Sequence, residues 1–229
     1  MKVQRFFLTK LVLLVVLSGC GEPGSNSSAA ACHPDAVSDL QNKAEFGIAD
    51  AQNELGRMYE HGECFSRDFE EAARWYLLAA EQGHVNAQKV LGFMYAVGMG
   101  VPQDDDQAVK WFRKASVQGH PEAQVGLGIA YFRGLGVARD LREAHKWFRQ
   151  SAEQGFARGQ YNLGHLYEIG AGVLKDHVQA YKWYLLASGE GYTKAGGSLK
   201  KLAENMTPSE IEEANRLAKE WQPVSTPGI

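Results

Sequence analysis

The 229-residue chain is 45% hydrophobic and 22% charged, a composition that excludes wholesale disorder and allows one substantial domain or two small ones. Its net charge is −3; without Lys2, Arg5 and Lys10, which precede Cys20, 21 basic residues face 27 acidic ones, a balance of −6. A nucleic-acid partner requires a basic stripe that displaces counterions from phosphates, and the sequence holds none, so that class is set aside.

Residues 1–19 read as a secretory address. Lys2, Arg5 and Lys10 form a positive n-region, and Leu11 to Leu17 is an apolar h-region. A spanning helix needs ~20 apolar residues, so this run is too short to be one. It ends in Leu17-Ser18-Gly19-Cys20, which resembles the bacterial lipobox. That resemblance implies that Cys20 is lipidated and becomes the first mature residue, held at a membrane by more than one acyl chain. Gly21 stands where an Asp would otherwise redirect sorting, which implies the periplasmic face of the outer membrane in a Gram-negative cell. A plain signal peptide ending in cysteine is the alternative. Residues 20–35 contain Gly21-Glu22-Pro23-Gly24-Ser25-Asn26-Ser27-Ser28, which cannot bury apolar area and reads as a flexible tether. With Cys20 lipidated, Cys32 and Cys64 remain as an even pair in an oxidising compartment. A Cys32–Cys64 disulfide is expected to staple the N-terminal segment to the neighbourhood of Cys64; two free buried thiols are the alternative. No Cys-x-x-Cys pair is present to support redox catalysis.

Residues 36–48 read as a capping helix, with Ala44 and Gly47 in register with Ala80 and Gly83. From residue 49 to 192 the chain repeats every 36 residues without an insertion. Leu55-Gly56 recurs as Leu91-Gly92, Leu127-Gly128 and Leu163-Gly164, and Trp75 as Trp111, Trp147 and Trp183. In each unit Ala51, Leu55 and Tyr59, or their counterparts, share one helical face. Ala72, Trp75, Tyr76, Ala79 and Ala80 form the stripe of a second helix. A glycine turn such as Gly98-Met99-Gly100-Val101 separates the two. Asp68-x-x-Glu71, Asp104-x-x-Gln107, Asp140-x-x-Glu143 and Asp176-x-x-Gln179 predict a capping box at each second helix, and the Gly83 set predicts its stop. Residues 193–222 read as C-terminal capping helices, with Thr207 or Ser209 beside Pro208 starting the last one, and 223–229 as a frayed tail.

Ala-Gln-x-x-Leu-Gly-x-x-Tyr-x-x-Gly-x-Gly-Val-x-x-Asp-x-x-x-Ala-x-x-Trp-Phe-x-x-Ala resembles the Sel-1-like repeat, a branch of the tetratricopeptide superfamily. The first unit departs from it, with Glu63-Cys64-Phe65 where later units have Met-Gly-Val or Leu-Gly-Val. The resemblance implies an all-α, right-handed solenoid of four helix-turn-helix repeats with helical caps. It also implies a monomeric adaptor that binds another protein: an immunity protein against a secreted phospholipase toxin, or an envelope-assembly scaffold.

Chemistry-bearing motifs are sparse. The seven histidines lack metal-ligand spacing, His84 and His120 are expected on the surface, and no cofactor or metal is expected. Ser198-Leu199-Lys200-Lys201 satisfies Ser-x-x-Lys, so a penicillin-binding or β-lactamase-like enzyme, known among cysteine-rich members of this repeat family, is the alternative class. What remains is surface. The first helices are expected to line a concave face, and positions varying between repeats place Lys89, Phe93, Val125, Ile129, Phe132, Tyr161 and His165 within reach of a protein partner.

Overall fold

The computed structural model describes residues 32–224, and within them the chain is an all-helical solenoid without strands. It opens with α1 (Pro34–Glu45), begun by proline at the first helical position, two residues earlier than expected. Four pairs come next: α2 (Ala49–His61) with α3 (Phe69–Glu81), α4 (Val85–Val97) with α5 (Asp105–Val117), α6 (Pro121–Arg133) with α7 (Leu141–Glu153), and α8 (Ala157–Ile169) with α9 (His177–Gly189). α10 (Thr193–Ala203) and α11 (Pro208–Glu220) complete it. Cys20 lies outside the described residues.

Each first helix buries a leucine (Leu55, Leu91, Leu127, Leu163), and each second helix buries a ring (Tyr76, Phe112, Phe148, Tyr184). Full burial of one such side chain stabilises by about 1.5–3 kcal/mol, so every repeat contributes to one continuous core. The helices of a pair meet closely because glycine follows each leucine. A methyl group at Gly92 would lie 2.5 Å from the Phe112 ring, and one at Gly128 2.6 Å from Phe148.

Asp68, Asp104, Asp140 and Asp176 cap the second helices through their carboxylates. The reciprocal half of the predicted capping box does not form. Each Asp backbone N–H already donates to a tyrosine carbonyl nine residues earlier: Tyr59, Tyr95, Tyr131 and Tyr167. With that donor occupied, Glu143 accepts from the Trp147 indole instead, at 3.1 Å. Among the described residues only Thr207, ahead of α11, completes a capping box, with Glu210.

The odd first turn has a structural reason. Gly100, at φ +69°, packs directly on the Phe69 carbonyl of the preceding second helix, where a side chain has no room. The same position in the first repeat is Cys64, at φ +60°, and one period back from Phe69 is His33, beside Cys32. There the structure joins Cys32 to Cys64, with Cα atoms 5.1 Å apart. The covalent link holds α1 where later repeats use a glycine–carbonyl contact.

Repeats are also bridged by glutamines. Gln88 donates to the Ala80 carbonyl at 3.0 Å and accepts from Gln118 at 2.8 Å; Gln52 and Gln124 do the same with Ala44 and Gln82, and with Ser116 and Gln154. The series ends at Gln160, which is fully buried with neither amide atom bonded; the position that would donate to its oxygen holds Glu190. A carboxylate cannot supply the amide donor.

At the C-terminus, α11 turns back over α9, so both α10 and α11 pack on that helix. Trp221 meets Trp183 edge to face at 5.9 Å, and the Val224 N–H donates to the Glu153 carbonyl at 2.7 Å. The chain as far as Val224 is therefore pinned to the array, where a frayed tail was expected from residue 223. Successive first helices touch one another, α4 on α6 and α6 on α8, and no two successive second helices pack as closely. The first helices thus form the inner face of the curve.

Candidate functional site

The inner face carries two adjoining depressions at repeats two to four. One, of about 110 Å³, lies between α4 and α6, walled by Phe93, Ala96, Ile129 and Leu135 and floored by Phe112. Gly126 stands there where other repeats have Glu54, Val90 and Asn162, so no side chain fills the space beside the Phe112 ring. The other, of about 260 Å³, lies between α6 and α8 and shares Ile129 as a wall; Phe132, Tyr161 and His165 line it.

Of the seven residues expected to face a partner, six sit at this surface in part. Phe93 is half-buried, its ring edge-on to Phe112 at 4.9 Å. Tyr161 is tilted against Tyr184 at 5.3 Å and Tyr192 at 5.0 Å, while Phe132 lies 6.5 Å from His165. His165 also approaches Glu168, at 3.6 Å. Lys89 is present but neutralised, with Glu122 at 3.1 Å. Val125 is the correction: only 1% exposed, it belongs to the core with Phe148 and Leu163. A short branched side chain at that position fits beneath the next repeat, whereas Lys89 and Tyr161 are long enough to emerge.

His84 and His120 are not the free surface residues expected. His84 Nδ1 caps α4 by accepting from the Ala87 N–H, and its Nε2 lies 3.3 Å from Asp50; His120 lies 3.1 Å from Asn86. Burial is the main reason that the His120 pKa falls below its ordinary value. At the N-terminal end, Arg57 bridges Glu54 and Glu63, and its hydrogen bonds hold both carboxyls below the usual carboxylate range. Ser198 lies beside the Tyr184 hydroxyl, which burial and a 2.6 Å bond to Glu168 keep protonated, while Lys201 is exposed. Among the described residues no cluster of His, Cys, Asp or Glu could hold a metal ion.

The Sel1 repeat model matches the chain four times, over residues 49–84, 85–120, 121–156 and 157–192. The chain belongs to the Sel1 repeat family. No curated protein matches it. Among solved structures it is similar to c5321, a protective antigen of uropathogenic Escherichia coli with an SLR fold, at 40% identity and TM-score 0.72 over 81% of this chain. The chain spans 39% of that longer protein. A Sel1 repeat protein from Oxalobacter formigenes is 31% identical, with TM-score 0.71, the match covering 82% of this chain and 81% of that one. Immunity protein Pa5087 from Pseudomonas aeruginosa is 22% identical, with TM-score 0.49, over 85% of this chain and 76% of its own.

Three cations of this Sel1 repeat array were missed in the sequence. Arg133, Arg158 and Lys194 line the larger depression beside Tyr192. The repeat register held the signal: one position reads Asp50, Asn86, Glu122, Arg158 and Lys194 along the chain, turning from acidic to basic.

Proposed function

We propose that this Sel1 repeat chain binds a protein partner on the inner face formed by α4, α6 and α8. The observation that carries the reading is the half-buried row of Phe93, Ile129, Phe132 and Tyr161, set around two depressions. Aromatic side chains over fully packed cores, with charged groups at the margin, have the composition of interface centres. Phe93 and Ile129 leave apolar area in water that a partner would remove.

The finer reading is a lipid-anchored envelope protein that neutralises an incoming toxin. It rests on the Leu17–Cys20 motif and on an array of only four repeats, compact enough to cover one site on one partner. An envelope-assembly adaptor is the competing role on the same face. The test is capture from envelope extract with the chain from Gly21 onward, which contains every core residue described. A stoichiometric protein retained by the wild type and lost on Phe93→Asp or Ile129→Asp is expected, and its identity separates inhibitor from adaptor. Retention undiminished by both substitutions would overturn the reading. The anchor is tested separately: incorporation of labelled palmitate in cells is expected to vanish on Cys20→Ser, and label on the variant would refute it.

A further inference from the structure

The inner face changes sign along its length, and the change follows the repeat register. Thirty-four places on from Asp50, Asn86, Glu122 and Arg158 the sequence has His84, His120, Phe156 and Tyr192. Asp50 and Asn86 are satisfied by their histidines, at 3.3 and 3.1 Å. Phe156 offers no polar atom, so Glu122 turns to Lys89 at 3.1 Å. Near the N-terminal end Arg57 is likewise matched, by Glu54 and Glu63.

The pattern of local neutralisation stops at repeat four. Arg158 shares its pocket with Tyr192, and among the described residues neither Arg158, Arg133 nor Lys194 has an acidic side chain within 4.0 Å. All three are exposed yet line one depression of about 260 Å³. Glu168, the carboxylate nearest to His165, is engaged by the Tyr184 hydroxyl at 2.6 Å. A chain with a net charge of −3 thus concentrates three unmatched cations around aromatic rings, next to an apolar slot.

We propose that this pocket receives the carboxylates of an acidic segment of the protein partner, whose adjoining apolar side chain enters the slot over Phe112. The proposal rests on the inner face being the binding face and adds the partner's chemistry. Two arginines supply planar donor forks suited to Asp or Glu carboxylates, and Lys194 supplies a third charge. Tyr161 and Tyr192 set rigid rings beside the three cations. The Ile129 wall common to both depressions places the apolar and anionic subsites side by side.

The test uses a random 12-residue displayed-peptide library panned against the chain from Gly21 onward and against its Arg133→Glu/Arg158→Glu/Lys194→Glu variant. The altered side chains are exposed, and unchanged circular dichroism confirms that the variant is folded. Peptides selected by the wild type are expected to be enriched in Asp or Glu next to a Leu, Ile or Phe. The best of them should bind the variant roughly tenfold or more weakly, a loss of about 1.4 kcal/mol or more, and should weaken as salt is raised. Selection of neutral or basic peptides, equal binding to the variant, or no selected peptide overturns the proposal. Binding of phosphatidylglycerol vesicles that is lost in the variant, with no peptide preference, would assign the cations to a lipid surface instead and also overturn it. If selected peptides are lost on Ile129→Asp but unaffected by the charge reversals, the inner-face reading stands and the acidic-segment proposal alone falls.

Discussion

Replacing Gly92 with alanine adds one methyl group to a helix interior, where alanine is ordinarily favoured by about 1 kcal/mol. Here the sign reverses. The methyl would lie 2.5, 2.6 and 2.9 Å from three carbons of the buried Phe112 ring. The ring is itself buried, with Phe93 edge-on to it at 4.9 Å, so moving it aside disturbs the core. Overpacking of this severity costs about 3 kcal/mol, so Gly92→Ala is expected to destabilise by about 2 kcal/mol net. Gly197, in α10, is the control, with nothing within 4 Å of an added methyl. Gly197→Ala is expected to stabilise by about 0.5–1 kcal/mol. Urea titration followed by both tryptophan fluorescence and far-ultraviolet circular dichroism reads the two midpoints and shows whether the array unfolds as one unit. A Gly92→Ala midpoint at or above that of the wild type would refute glycine-dependent pairing of α4 with α5.

Further outcomes concern the inter-repeat bonds, the disulfide and a half-buried histidine. Glu190→Gln is expected to extend the glutamine series to Gln160 and raise stability by about 0.5–1.5 kcal/mol in thermal melts, whereas Gln88→Leu, which removes the bonds to the Ala80 carbonyl and from Gln118, is expected to lower it by about 0.5–1.5 kcal/mol. A fall on Glu190→Gln would show that Gln160 is satisfied in another way. Cys32→Ser is expected to cost about 2–4 kcal/mol, given a closed loop with a sequence separation of 32, and to speed hydrogen exchange in α1 before the repeats. Exchange accelerated uniformly along the chain would contradict a local staple. Burial is the leading cause of the depressed pKa of His145, so its unfolded form takes up protons first. The stability held above about pH 6.5 is therefore expected to decline as pH falls through that value toward the lower folded pKa. His145→Phe should flatten the decline in midpoints measured from pH 7.5 to 5, and an unchanged slope would assign it elsewhere.

Much of the architecture could be read in the sequence because each repeat carries the same local instructions four times. The Leu-Gly pairs, Asp caps and aromatic stripes agree on where helices start, stop and touch. The reciprocal capping bonds could not be read, since the competing Tyr59-type carbonyl acts across a turn that only the fold closes. Val125 looked like Lys89 and Tyr161 by register, but side-chain length decides which of them emerges from between helices. The return of α11 and Val224 over the array depends on Trp221 meeting Trp183, a long-range contact with no periodic signature. The cationic pocket was legible in principle: its charge reversal lies at a fixed repeat position, hidden because Arg133 joins it from a different one.

The most direct measurement is photocrosslinking in living cells, with a benzophenone amino acid placed at Ile129 on the inner face or at exposed Lys110 on second helix α5. A discrete protein adduct from position 129, with none from position 110, is the predicted result. Adducts from position 110 alone, or equal adducts from both, would contradict recognition through the inner face.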